Sequence, residues 1–303
     1  MKYFTLSMLI FFSICANAIA GEVLVIKDIQ FAKKMNQSGK SINLQLDLFK
    51  LDHNEINKSA IIFLAHGGSF MYGSRDEFDE YARYLAHQGN IVCAIDYRLI
   101  PEELLSDIKH SNYSIALLQA MEDMHSAITF IMDNKGEYGI DPNSIIVGGF
   151  SAGAVTALHY GYVNGQKDLA ILASSDIFPG TPELLDKIID PSFILLSKKY
   201  EINQIINISG SIFTHMVIDP QEPSIVSVFG LDDEQVPFGR GNTDNTGIIS
   251  EGPELIHRTA SEFGMRNLLI TIDNADHHVF ANGNESEDCL DCRVMVSKFI
   301  NDM

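Results

Sequence analysis

The chain has 303 residues, 46% of them hydrophobic and 20% charged, the composition of a globular domain with a substantial core and not of a disordered or fibrous chain. Length alone fits one large α/β domain or two small ones. Asp and Glu outnumber Lys and Arg by 40 to 21, for a formal charge of −19; so acidic a surface repels phosphate backbones and anionic lipid and speaks against nucleic-acid partners.

The N-terminal residues 1–20 stand apart. Lys2 is their only charge, an apolar run spans Met8 to Ile14, and Ala16-Asn17-Ala18-Ile19-Ala20 follows with small residues. This is the pattern of a signal peptide, so cleavage after Ala18 or Ala20 and export are expected. The apolar run is too short to span a bilayer, and no later stretch is long and uncharged enough to do so. The mature chain, residues 21–303, is therefore expected to be one domain without a stable membrane anchor.

Eight short apolar runs read as strands: Val23 to Ile26, Ile42 to Phe49, Ile61 to Ala65, Ile91 to Ile95, Ile145 to Val147, Ile205 to Ile208, Ile225 to Phe229 and Leu268 to Ile272. Several are unbroken Val/Ile/Leu, as in strands buried on both faces. Helical periodicity lies between them, at Asp76 to His87 and Ile115 to Met132, and Asp291 to Ile300 reads as a closing helix. The alternation predicts an α/β fold with a mostly parallel eight-stranded sheet and helices on both faces. The first two strands lie too close for a crossover helix, so that edge is expected to be antiparallel. Residues 165–201 break the rhythm and read as a small insertion over one end of the sheet, either a lid or surface decoration.

Removal of the leader leaves Cys93, Cys289 and Cys292. Cys93 sits inside an apolar strand and is expected to be a core thiol. Cys289-Leu290-Asp291-Cys292 has neither a second cysteine pair nor a basic context, so a short local disulfide is expected in an exported chain, and no metal site. No cofactor motif is expected. Asn57-Lys58-Ser59 is a glycosylation sequon, with meaning only in a host that glycosylates exported proteins.

The segment that carries chemistry is Ile145-Ile146-Val147-Gly148-Gly149-Phe150-Ser151-Ala152-Gly153-Ala154. An apolar strand runs into Gly-x-Ser-x-Gly and a helix start. A serine on so sharp a turn projects its hydroxyl above the sheet, and Gly149 and Gly153 remove side chains that would collide there. The helix start at Ala152 turns backbone N–H groups toward an anion forming beside Ser151. Upstream, His66-Gly67-Gly68-Ser69-Phe70 ends another strand with two glycines, whose bare N–H groups suit a tetrahedral oxyanion or simply make a turn. A nucleophilic serine needs a base and the base a carboxylate. His277 and His278 follow the last strand; Asp232 and Asp233 follow the strand ending at Phe229. Serine, acid and histidine thus occur in the chain order of the α/β-hydrolase triad, each at a strand's C-terminal end.

With these residues in place the sequence resembles the α/β-hydrolase superfamily, in its carboxylesterase/lipase branch similar to hormone-sensitive-lipase-like esterases. The resemblance runs from about Ile61 to Phe280. It covers His66 to Phe70 with Tyr72-Gly73-Ser74-Arg75-Asp76, and Asp96-Tyr97-Arg98-Leu99-Ile100-Pro101-Glu102. It continues through the block from Asp123 to Ala154 and the segment Phe229 to Pro237. The resemblance implies an α/β-hydrolase fold with a lid-like insertion, Ser151 as nucleophile, Asp233 as acid with Asp232 as alternative, and His277 as base with His278 as competitor. It places the oxyanion hole at the backbone N–H groups of Gly67, Gly68 and Ala152. Ser69 stands where many relatives carry a third glycine, and Arg98 is expected to brace the fold by ion pairing. The expected activity is hydrolysis of small carboxylic esters without a cofactor. An exported peptidase of the prolyl aminopeptidase type, with Asp176 or Glu183 binding a free amine, and a non-catalytic binding protein are the alternatives.

Overall fold

The computed structural model describes residues 21–52, 59–174, 200–243 and 246–302. The expected leader at residues 1–20, Asn57 of the sequon, and most of the expected insertion, with Asp176 and Glu183, lie outside the described residues.

Strands β1 (Val23–Met35) and β2 (Ser41–Leu51) form a long antiparallel hairpin. β1 extends well past the apolar run at its start. Its register shifts between Ile26 and Ile29 and again between Gln30 and Ala32, with Asp28 at a φ of 59°. Such bulges break the alternation of faces by which a strand is recognised in sequence. Next come β3 (Ile61–Ala65), β4 (Ile91–Ile95), β5 (Ile145–Phe150), β6 (Gln204–Ile208) and β7 (Ser224–Gly230). A small antiparallel pair, β8 (Arg240–Asn242) with β9 (Ile249–Glu251), precedes β10 (Asn267–Ile272). The eight predicted strands form one sheet in the order β1-β2-β4-β3-β5-β6-β7-β10. β2 pairs antiparallel with both β1 and β4, and every other pairing is parallel, so the antiparallel edge is where it was expected.

Among the described residues the α-helices are α1 (Asp79–His87), α2 (His110–Asp133), α3 (Ala152–Tyr162), α4 (Gln166–Ser174), α5 (Pro253–Glu262) and α6 (Cys292–Asn301). Strand residues divide between two cores because side chains alternate across a sheet. Ile61, Phe63, Cys93, Ile145, Val147 and Ile205 pack with α2, α3 and Ile256 of α5. Ile62, Leu64, Val92, Ile146, Ile206 and Val226 pack with Tyr81 and Leu85 of α1 and Val296 and Ile300 of α6. Each such side chain taken from water contributes about 1.5–3 kcal/mol. Both faces of the central strands are buried, which is why their sequences are apolar without alternation.

Ion pairs tie the edge to this core. Arg98 is buried, pairs with Glu122 and Asp123 of α2, and donates to the carbonyls of Met35 and Gln119, so it is a brace and not a substrate contact. Arg75 joins Asp28, Asp47 and Asp96. Cys289 and Cys292 form a disulfide at the start of α6, and Cys93 is a buried thiol whose pKa is pushed up by burial. Among the described residues, no helix is long and apolar enough to cross a membrane, and no cluster of His, Cys, Asp and Glu is placed to hold a metal ion.

Candidate active site

Ser151 sits between the last residue of β5 and the first of α3, with φ 52° and ψ −118°. A serine in this region is strained, and it is held there by its surroundings. Its N–H donates to Ile208 O at 2.8 Å, and its carbonyl accepts from Val155 N at 2.9 Å. The flanking glycines are required by contact: a Cβ on Gly149 would lie 2.4 Å from Ala65 O, and one on Gly153 would lie 1.9 Å from the same atom. The turn therefore presses against the end of β3.

His277 Nε2 lies 2.9 Å from Ser151 Oγ, and His277 Nδ1 lies 2.7 Å from Asp233 Oδ2. The carboxylate only accepts, so Nδ1 carries the proton and Nε2 is free to accept from the serine hydroxyl. Asp233 is itself fixed: its Oδ1 accepts from the N–H groups of Gln235 at 2.8 Å and Val236 at 2.9 Å, and its side chain is fully buried. The Phe150 and His277 ring centroids lie 5.1 Å apart, and His277 is buried. The neighbouring alternatives face elsewhere. His278 is exposed, its ring edge-on to His277, and its N–H donates to Asp276; Asp232 is exposed.

The strap after β3 carries three left-handed residues in succession, Gly68 (φ 103°), Ser69 (φ 52°) and Phe70 (φ 62°). A Cβ on Gly68 would lie 2.1 Å from Tyr72 O, and one on Gly67 would lie 2.6 Å from Phe150 Cδ1. The strap curls on itself, with Gly68 O accepting from Met71 N at 2.8 Å and Tyr72 N at 3.2 Å. Tyr97 Oη donates to His66 O at 2.8 Å, and His66 Nδ1 donates to Gly67 O at 2.7 Å. Burial lowers the His66 pKa, so the ring stays neutral and stacks on Tyr97 with centroids 4.4 Å apart. His66 and Tyr97 thus fix the strap. Both stand inside the motifs noted in the sequence, but nothing there announced this task. Ala152 opens α3, and its N–H has no intrahelical acceptor, so that donor remains beside Ser151.

These groups converge on the C-terminal edge of the sheet: the strap from β3, the serine from β5, the carboxylate after β7 and the histidine after β10. The strand order and the serine turn after β5 define the class, a protein of the α/β-hydrolase fold with a Ser-His-Asp constellation. A solved esterase of Thermogutta terrifontis, Est2 with propionate bound, shares this fold: it aligns over 94% of each chain with a TM-score of 0.60 at 19% identity. The chain belongs to the BD-FAE family, whose model matches residues 46–243. It is 30% identical over 132 residues to Gut esterase 1 of Caenorhabditis elegans, a match covering 41% of this chain and 22% of that protein. It is 32% identical over 110 residues to a probable isoprenylcysteine alpha-carbonyl methylesterase ICME of Oryza sativa subsp. japonica, covering 36% of this chain and 23% of that protein. The match thus spans under a quarter of the length of these curated relatives.

Proposed function

We propose that the protein is an exported serine carboxylesterase that hydrolyses short-chain carboxylic esters through an acyl-serine intermediate. The observation that carries this reading is the unbroken hydrogen-bonded line from Ser151 Oγ through His277 to Asp233. His277 takes the serine proton as Oγ attacks the ester carbonyl, then gives it to the departing alcohol. Water enters, His277 takes its proton, and the acyl-serine bond breaks to release the acid and restore the hydroxyl. Asp233 holds the imidazole tautomer and stabilises the imidazolium. The N–H groups of Gly67, Gly68 and Ala152 hold the oxyanion, each donor of this kind being worth about 3 kcal/mol. No cofactor enters these steps.

Support for an ester over an amide comes from the relatives, which carry esterase names. Support for a short, soluble substrate comes from the charge of −19, which repels anionic interfaces. Support for export comes from the apolar run Met8 to Ile14 and the small residues after it.

The test is p-nitrophenyl ester hydrolysis by the protein, with acyl chains from acetate to palmitate, alongside Ser151→Ala and labelling by a fluorophosphonate. Turnover greatest on the short chains, abolished together with labelling by the substitution, is expected. A folded protein that turns over none of these esters would refute the reading, and hydrolysis of amino-acid nitroanilides in that case would assign a peptidase.

A further inference from the structure

The turn after β6, Ile208-Ser209-Gly210, touches both halves of the candidate site. Ile208 O accepts the Ser151 N–H at 2.8 Å, and the Ser209 hydroxyl donates to His277 O at 3.0 Å. Serine and histidine are thereby referenced to two consecutive residues.

Ser209 is fully buried and has φ 51°, a left-handed conformation that glycine adopts without steric cost and serine does not. The backbone alone would favour glycine here. What serine adds is the hydroxyl, and the partner of that hydroxyl is the main chain of His277. The turn that presents it is rigid. Ser209 N–H donates to Val228 O at 3.0 Å. Gly210 N–H donates to Asn207 Oδ1 at 3.0 Å, and a Cβ on Gly210 would lie 2.5 Å from Ala154 Cβ. Asn207 Nδ2 donates to Ser227 Oγ at 3.0 Å, and Ser227 Oγ lies 2.7 Å from His257 Nε2. His277 itself rides on the irregular segment after β10, with no helix or strand to hold it.

We propose that Ser209 is a positioning residue for His277, its hydroxyl anchoring the main chain that keeps the imidazole within hydrogen-bonding reach of Ser151. Its effect on turnover rests on the ester-hydrolysis reading above; its effect on the imidazole does not.

Two variants test this. Ser209→Gly removes the hydroxyl while relieving the left-handed backbone, and Ser209→Ala removes it without that relief. Ser209→Gly is expected to keep the wild-type Tm and the KM for p-nitrophenyl acetate while kcat falls about ten- to a hundred-fold, the effect of a small misplacement of a reacting group. Ser209→Ala is expected to show the same kcat loss with a lower Tm. In the resting protein, without substrate, the downfield NMR resonance of the His277 Nδ1 proton bonded to Asp233 is expected to shift or broaden in Ser209→Gly. That signal remains readable even if the wild type hydrolyses no ester, which separates failure of this proposal from failure of the functional one. In Ser209→Gly, an unmoved resonance overturns the assignment, and so does a kcat loss that merely tracks a lowered Tm.

Discussion

Acidification should destabilise the protein through His159, and the size of the effect follows from its surroundings. His159 lies on α3 with no exposed surface. Its Nδ1 donates to Val155 O at 2.7 Å, and its Nε2 accepts the Phe213 N–H at 3.2 Å. Only the neutral ring can do both, and burial pulls its pKa down to about 4 from an ordinary 6.5. Between those values the unfolded chain binds a proton that the folded chain does not, so stability falls as pH drops from 6.5 toward 4 and is level above 6.5. At 1.36 kcal/mol per pH unit, His159 costs about 2 kcal/mol at pH 5 and about 3 kcal/mol at pH 4. For a domain of this size, with an unfolding entropy of about 2.1 cal/mol/K per residue, the loss at pH 5 corresponds to a Tm lower by roughly 3–4 °C than at pH 7. The assay is calorimetric Tm at pH 7 and pH 5 for wild type and His159→Gln, since glutamine does not titrate but can still accept the Phe213 N–H. The variant is expected to be less stable at pH 7, but its decline to pH 5 should be shallower than that of wild type by roughly that 3–4 °C. His257, also pulled down to about 4 by burial, is common to both proteins and cancels. Equal declines in the two proteins would refute the assignment of this pH dependence to His159.

Three further outcomes are expected. Arg98→Ala leaves the buried carboxylate of Asp123 without its ion-pair partner, while Glu122 keeps Lys34, and should lower stability by about 3–5 kcal/mol, read by urea unfolding; a loss under about 1 kcal/mol would contradict the brace. Gly68→Ala brings a Cβ to 2.1 Å from Tyr72 O, so the strap must move. With this proposed oxyanion donor displaced, kcat for p-nitrophenyl acetate should fall about 10²- to 10³-fold, and a kcat within two-fold of wild type would remove Gly68 from the proposed oxyanion hole. Cys289→Ser opens the short Cys289–Cys292 loop and should cost about 2 kcal/mol by loop-closure entropy, seen as a lower Tm with kcat unchanged. A Tm equal to wild type would show that the bridge does not constrain the unfolded chain.

Much of this architecture is written locally in the chain. Strands such as Ile61–Ala65 and Ile91–Ile95 are legible because burial on both faces demands unbroken apolar residues. The serine turn is legible because Gly149 and Gly153 are forced by contacts that any such turn must make. Other features leave a weak local trace. β1 is hidden by its bulges, and the pair β8 and β9, three residues each, is too short to show a period. Between adjacent candidates the sequence leaves a choice, and the tertiary structure makes it. Asp233 and not Asp232 turns its carboxylate inward because the N–H groups of Gln235 and Val236 capture it. His277 and not His278 reaches Ser151 because both sit in a turn, where the His277 ring is buried toward the serine and the His278 ring is left exposed. Ser209 carries no motif, and its bond to His277 spans 68 positions. Local spacing records the backbone each residue needs. The meeting of Ser151 with a histidine 126 positions away depends on the sheet order, which brings the ends of β5, β6, β7 and β10 to one edge, and no window of the sequence contains that order.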